Sequence, residues 1–168
     1  KDVIDAAHEH GVPFLDDLGS GALLDTADFG LVHEPTVQES LVAGADLVCF
    51  SGGKLLGGPQ AGILAGRKEI LQKLKKHPLA RAVRADKLCL AALSQTLLHY
   101  LKDEAVANIP VWQMIAASPD QIRDRAQQWM GELGCGNLKD GKSTVGGGSL
   151  PEETLPTTLL TLDGFQPN

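Results

Sequence analysis

A single lysine, Lys54, stands among five glycines in the run "FSGGKLLGGPQAGI", residues 50–63. A primary amine in so small and pliable a setting has three readings. A nucleotide phosphate loop needs G-x-x-x-x-G-K-[ST]. Gly53 precedes Lys54, but Val48 stands in place of the first glycine and Leu55 in place of the Ser/Thr that would bind Mg²⁺. A surface lysine in an ordinary Gly-Gly turn is the plainest alternative. The third reading is a lysine that forms a Schiff base with pyridoxal phosphate. Burial or a nearby cation makes an amine nucleophilic by lowering its pKa, and small neighbours let a ring approach the backbone. Two residue types needed by that chemistry are at hand. Ser51, three residues before Lys54, offers a hydroxyl to the cofactor phosphate. Asp16, 38 residues upstream, offers a carboxylate to the protonated pyridine nitrogen, which strengthens the ring as an electron sink.

These residues must be positioned by the elements around them. The apolar run Val12–Leu15 predicts a short strand that delivers Asp16 and Asp17 to its C-terminal end, and Ala45–Phe50 predicts a second strand leading into the lysine loop. Both are short and apolar, as strands of a helix-covered parallel sheet are. Helices are expected over residues 1–10, over 36–44 with Thr36 and Glu39 as a capping box, over 67–76, over 86–101, and from Pro119 to about Leu133 with Ser118 as cap. Ala61–Ala65 reads as a returning strand and 157–162 as β-rich, whereas 109–118 reads as irregular and 134–156 as a Gly/Ser/Pro-rich loop or hinge. Strand–helix–strand order at the front makes the fold class α/β. Both strands then end on the edge of the sheet where sites of such folds gather.

Composition narrows the classes. The 168 residues are 43% hydrophobic with a net charge of −6, which does not describe a general nucleic-acid binder. Residues 67–87 nonetheless carry eight of the fifteen Lys and Arg, a solvated face or a local phosphate site. Three scattered cysteines without a CxxC pair suit reduced thiols in a cytoplasmic protein. No metal set, signal peptide or membrane-length apolar run is visible. The first and last residues read as mid-element, so the chain is expected to be an internal fragment of a longer protein.

The stretches "PFLDDLGSG", "ADLVCFSGGKLLGGPQAGI", "HPLARAVRADKLCLAAL", "IPVWQMI" and "VGGGSLPEETLP", in this order, resemble the bacterial selenocysteine synthase family, the L-seryl-tRNA(Sec) selenium transferases. The resemblance implies a fold-type I pyridoxal-phosphate enzyme, with residues 1–101 from the large cofactor domain and 102–168 from connecting helices and the start of a small C-terminal domain. It implies that Lys54 carries pyridoxal phosphate and removes the α-proton of seryl-tRNA(Sec), with Ser51 on the phosphate and Asp16 on the ring nitrogen. Asp16 is preferred to Asp17 because it directly follows the apolar strand residues; Asp17 would face the other way if the strand continued. Within "PLARAVRADK" it implies that Arg84, and with it Arg81, binds selenophosphate, whose oxygens suit guanidinium forks. It also implies a homo-oligomer built from dimers. One departure stands out: the family often has an acid directly before the lysine, where this chain has Gly53. Two other readings fit the same residues. One is a related pyridoxal-phosphate lyase or transferase acting on a small amino acid; the other is a non-catalytic assembly fragment.

Overall fold

Two parallel strands with a helix between them carry the front of the chain. In the computed structural model, which describes residues 2–146 and 148–162, α1 (Asp2–Glu9) precedes β1 (Leu15–Gly19), α2 (Val37–Val42) and β2 (Leu47–Ser51). β1 and β2 pair in parallel, and β3 (Gly62–Gly66) returns antiparallel on the far side of β2. The expected capping box of α2 is present: Thr36 Oγ1 accepts from the Glu39 amide, and the Glu39 carboxylate accepts from the Thr36 amide.

The remaining elements are α3 (Lys68–Lys76), α4 (Pro78–Ala82), α5 (Lys87–Leu101), α6 (Ala105–Asn108), α7 (Pro110–Ala116), α8 (Pro119–Leu133) and the antiparallel pair β4 (Asn137–Thr144) and β5 (Thr154–Thr161). Three expectations are corrected here. The first strand runs through Asp16 and Asp17 and does not end before them. Residues 110–116 are helical, because Pro110 occupies the first turn, where its missing N–H costs nothing. Much of the supposed hinge is strand β4, whose sequence "NLKDGKST" is polar because most of its residues are exposed.

Two apolar clusters meet at the lysine loop. One packs Ile4, Val37, Ala45, Val48, Phe50 and Leu56 between α1, α2 and the sheet. The other joins Ala22, Leu31 and Leu55 to Ala105 of α6, Trp112 and Ile115 of α7, and Ile109 between the two helices. Leu55 and Leu56, next to Lys54, thus enter different clusters, with 2% and 0% of their surface exposed. Gly57 completes the turn with φ +72°, and a side chain there would collide with Ile109.

A buried carboxylate ties the front elements together. Asp46 accepts from the Phe14 amide at 2.8 Å, Arg67 Nη1 at 2.7 Å and the His8 ring at 2.8 Å. The Phe14 amide first, then Arg67 and His8, hold its carboxyl well below the usual carboxylate range. Arg67 and His8 are 61% and 44% exposed, so solvent screens both and the amide bond carries most of the gain. Asp46→Asn is expected to cost about 2 kcal/mol at neutral pH by urea titration. The folded pKa lies below the unfolded one, so this stabilisation is complete above about pH 4 and is lost as pH falls from there toward the folded value. The gap between wild type and variant should therefore close on acidification below about pH 4.

Candidate functional site

The lysine loop is fixed at its backbone. Gly52 donates to the Ala61 carbonyl at 2.8 Å, Leu55 to the Ser20 carbonyl at 3.0 Å, and Gly57 back to the Lys54 carbonyl at 2.9 Å. The Tyr100 hydroxyl from α5 reaches the Leu56 carbonyl at 2.9 Å and accepts from the Trp112 indole at 2.6 Å. Burial pushes the Tyr100 phenol up to about 12, so at neutral pH it stays protonated and can donate to that carbonyl. With two buried leucines and these bonds behind it, the Lys54 backbone is held and its side chain is half-buried.

Lys54, Ser51, Asp17, Gly19, Cys49 and Gln60 line one hollow of about 620 Å³ at the C-terminal edge of β1 and β2. Asp17 sits opposite Cys49 in the strand register. Burial first, then the neighbouring Asp17 carboxylate, pushes the Cys49 thiol up. Ser51 Oγ accepts from the Gly53 amide at 3.2 Å, which leaves its own proton for a ligand. The Lys54 ammonium donates to the Gly148 carbonyl at 3.5 Å.

Asp16 is elsewhere. It accepts from Ser40 Oγ of α2 at 2.6 Å and does not line the hollow. Because β1 continues through both acids, side chains alternate and Asp17 takes the lysine's side. The structure therefore brings Lys54, Ser51 and Asp17 together and leaves Asp16 out. Arg81 and Arg84 share a separate basic hollow of about 530 Å³ with Lys75, Lys76 and His77, and no residue lines both hollows. At Gly53, the space a side chain would take is filled by the Gln60 amide, the end of a flexible chain.

A larger hollow of about 780 Å³ lies between α7, α8 and the β4–β5 pair, but its lining is mostly apolar and includes none of these groups. The chemistry points to the smaller one, where an amine, a carboxylate and a hydroxyl converge. Sequence reasoning missed Cys49 and Gln60 as parts of this site, and Gly148 as a contact of Lys54. Register with Asp17 would have found Cys49; no local signal places Gly148 there.

The family model for L-seryl-tRNA selenium transferase matches residues 1–167. The chain belongs to the L-seryl-tRNA selenium transferase family. Proteins named L-seryl-tRNA(Sec) selenium transferase are 46% identical over 168 residues in Carboxydothermus hydrogenoformans and 48% identical over 170 residues in Geobacter sulfurreducens. Each alignment covers 96% of this chain but only 36% and 37% of the relative, so the chain spans just over a third of the selenium transferases it matches. Among solved structures, that of D-glucosaminate-6-phosphate ammonia-lyase superposes with a TM-score of 0.57 at 17% identity, over 95% of this chain and 36% of that one. The likeness bears out the α/β, fold-type I architecture expected from the sequence. Among the described residues, no helix is long and apolar enough to cross a membrane.

Proposed function

We propose that this chain is the lysine-bearing part of a pyridoxal-phosphate-dependent transferase that converts seryl-tRNA(Sec) to selenocysteinyl-tRNA(Sec) with selenophosphate. The observation that carries the reading is the convergence of Lys54, Asp17 and Ser51 in one hollow at the strand ends of the family's fold. Residues 1–101 would belong to the large cofactor domain and 102–168 to the connecting helices and the start of the small domain. A tRNA substrate goes with a cytoplasmic protein.

The residues fit the cofactor. A hollow of this volume suits a small-molecule ligand, and Gly19 keeps a wall beside the amine clear: a Cβ there would stand 3.5 Å from Lys54 Nζ. Lys54 would hold the cofactor through Nζ, Ser51 would donate to its phosphate, and Asp17 would accept from its ring nitrogen. When bound, pyridoxal phosphate supplies an electron sink for charge developing at the seryl Cα. Lys54 Nζ, displaced by the incoming amine, is placed to take the Cα proton. That proton transfer would let the serine hydroxyl leave as water. Selenophosphate selenium would then bond to Cβ as a proton returns to Cα, and water would cleave the P–Se bond to release inorganic phosphate. Asp17 would face the ring nitrogen, with Cys49 beside it in the strand register.

Arg81 and Arg84 remain the proposed selenophosphate ligands. What supports them is their pairing in one basic hollow, where guanidinium forks can grip phosphate oxygens. Their hollow shares no lining residue with that of Lys54, and a subunit contact that joins the two would accord with a homo-oligomer built from dimers. Leu79, Val83 and Leu88, all more than 60% exposed near these arginines in sequence, support such a contact.

The test is direct. The whole protein should show an absorbance band near 410–430 nm when loaded with pyridoxal phosphate. Borohydride should erase the band and fix the cofactor to the peptide containing Lys54. Attachment at another lysine, or none, would refute the reading.

A further inference from the structure

Two Gly-Ser pairs flank Lys54, one on either side of it in sequence. Gly19-Ser20 closes β1, and Gly148-Ser149 lies in the glycine-rich turn between β4 and β5. Each glycine faces the amine. A Cβ on Gly19 would stand 3.5 Å from Nζ; one on Gly148 would stand 3.0 Å from Nζ and 3.2 Å from Cε. Each serine hydroxyl is buried and has no hydrogen-bond partner among the described residues. A buried hydroxyl left unpaired is costly, about 1–3 kcal/mol. Ser149 lines a second hollow, of about 340 Å³, together with Lys54, Gly53 and Gly58, which points to a ligand beside the amine; Ser20 lines neither hollow of Lys54.

We propose that Gly148 is a positioning residue: with Gly19 it forms a flat slot around Lys54 Nζ that admits a planar aromatic aldehyde and rejects bulkier or displaced ones. The slot rests on the proposed function only in identifying that aldehyde as the cofactor's. A methyl at position 148 would sit inside ordinary contact distance of the amine. It would also fill the space a ring needs to lie alongside Nζ. A one-carbon aldehyde needs no such space.

The experiment is reductive alkylation of the whole protein, stripped of cofactor, with cyanoborohydride as hydride donor. Formaldehyde, benzaldehyde and pyridoxal phosphate are compared, and modification at Lys54 is read by peptide mass spectrometry. Gly148→Ala should lower the benzaldehyde-to-formaldehyde ratio at Lys54 at least tenfold. Gly134→Ala should change it less than twofold, since Gly134 also has a positive φ (+69°) but nothing within 4 Å of its Cβ and lines neither hollow of Lys54. An unchanged ratio in Gly148→Ala, or the same fall in Gly134→Ala, overturns the proposal. Unaltered protein gives an independent measure should Gly148→Ala not fold. Relative to Lys68, Lys54 should favour benzaldehyde over the branched pivaldehyde at least tenfold, and equal preference overturns the slot. Lys54 that takes benzaldehyde but not pyridoxal phosphate would refute the cofactor reading and leave the slot standing.

Discussion

Lys54→Ala in the whole protein is expected to lower turnover by about 10³-fold or more and to abolish the borohydride-fixed adduct. Two roles end with one amine. In the proposed reaction the covalent hold on the cofactor would be lost, and so would the base for the Cα proton, a contribution of about 10²–10⁴-fold alone. The fold should survive, because the backbone at this position is held by Leu55, Leu56 and Tyr100 and not by the lysine side chain. Lys54→Arg separates charge from chemistry. It keeps a cation near the Gly148 carbonyl, yet a guanidinium stays protonated at working pH and so offers no free amine to bond a carbonyl carbon or take a proton. It should therefore be as inactive as the alanine variant. A small primary amine added to Lys54→Ala should restore part of the proton transfer without restoring covalent attachment. Turnover of Lys54→Ala within tenfold of wild type would remove the lysine from the chemistry.

How far the site could be read in advance depended on whether its determinants are local. The α2 capping box needs only Thr36 and Glu39, and Ser118 with Gln121 caps α8 in the same way. The lysine loop announced itself because a strand, a serine and a glycine run surround Lys54 within a few residues. Local patterning failed where a polar strand borrows its order from a partner. β4 shows little apolar alternation and is defined by its pairing with β5, from Asn137 opposite Thr161 to Thr144 opposite Thr154. It failed again at Gly148, which reaches Lys54 from 94 residues away. The basic segment was legible as a cluster, but not its distance from the lysine, because that separation is set by α3 and α4 as placed elements.

The choice between two adjacent acids turned on one residue of strand length. Had β1 stopped at Leu15, Asp16 would have been the first side chain free to reach the hollow. The pairing with β2 continues through Asp16 opposite Val48 and Asp17 opposite Cys49, and alternation then assigns the acids to opposite faces. Asp16 is occupied by the Ser40 hydroxyl at 2.6 Å, and Asp17 shares the hollow of Lys54. Asp17→Asn keeps the shape and removes the charge that would hold a proton on the ring nitrogen. Its expected effect is a fall in kcat of about 10²-fold or more, the usual scale for losing a group that stabilises charge in the transition state. A shift of the cofactor absorbance should accompany it. Asp16→Asn should leave kcat within about fivefold and instead lower stability by about 1 kcal/mol through the weakened Ser40 bond. Steady-state kinetics and urea titration on both variants therefore give crossed results, one catalytic and one structural. If Asp16→Asn proved the inactive variant while Asp17→Asn stayed active, the ring partner would be Asp16. The bond to Ser40 would then have to break when the cofactor binds.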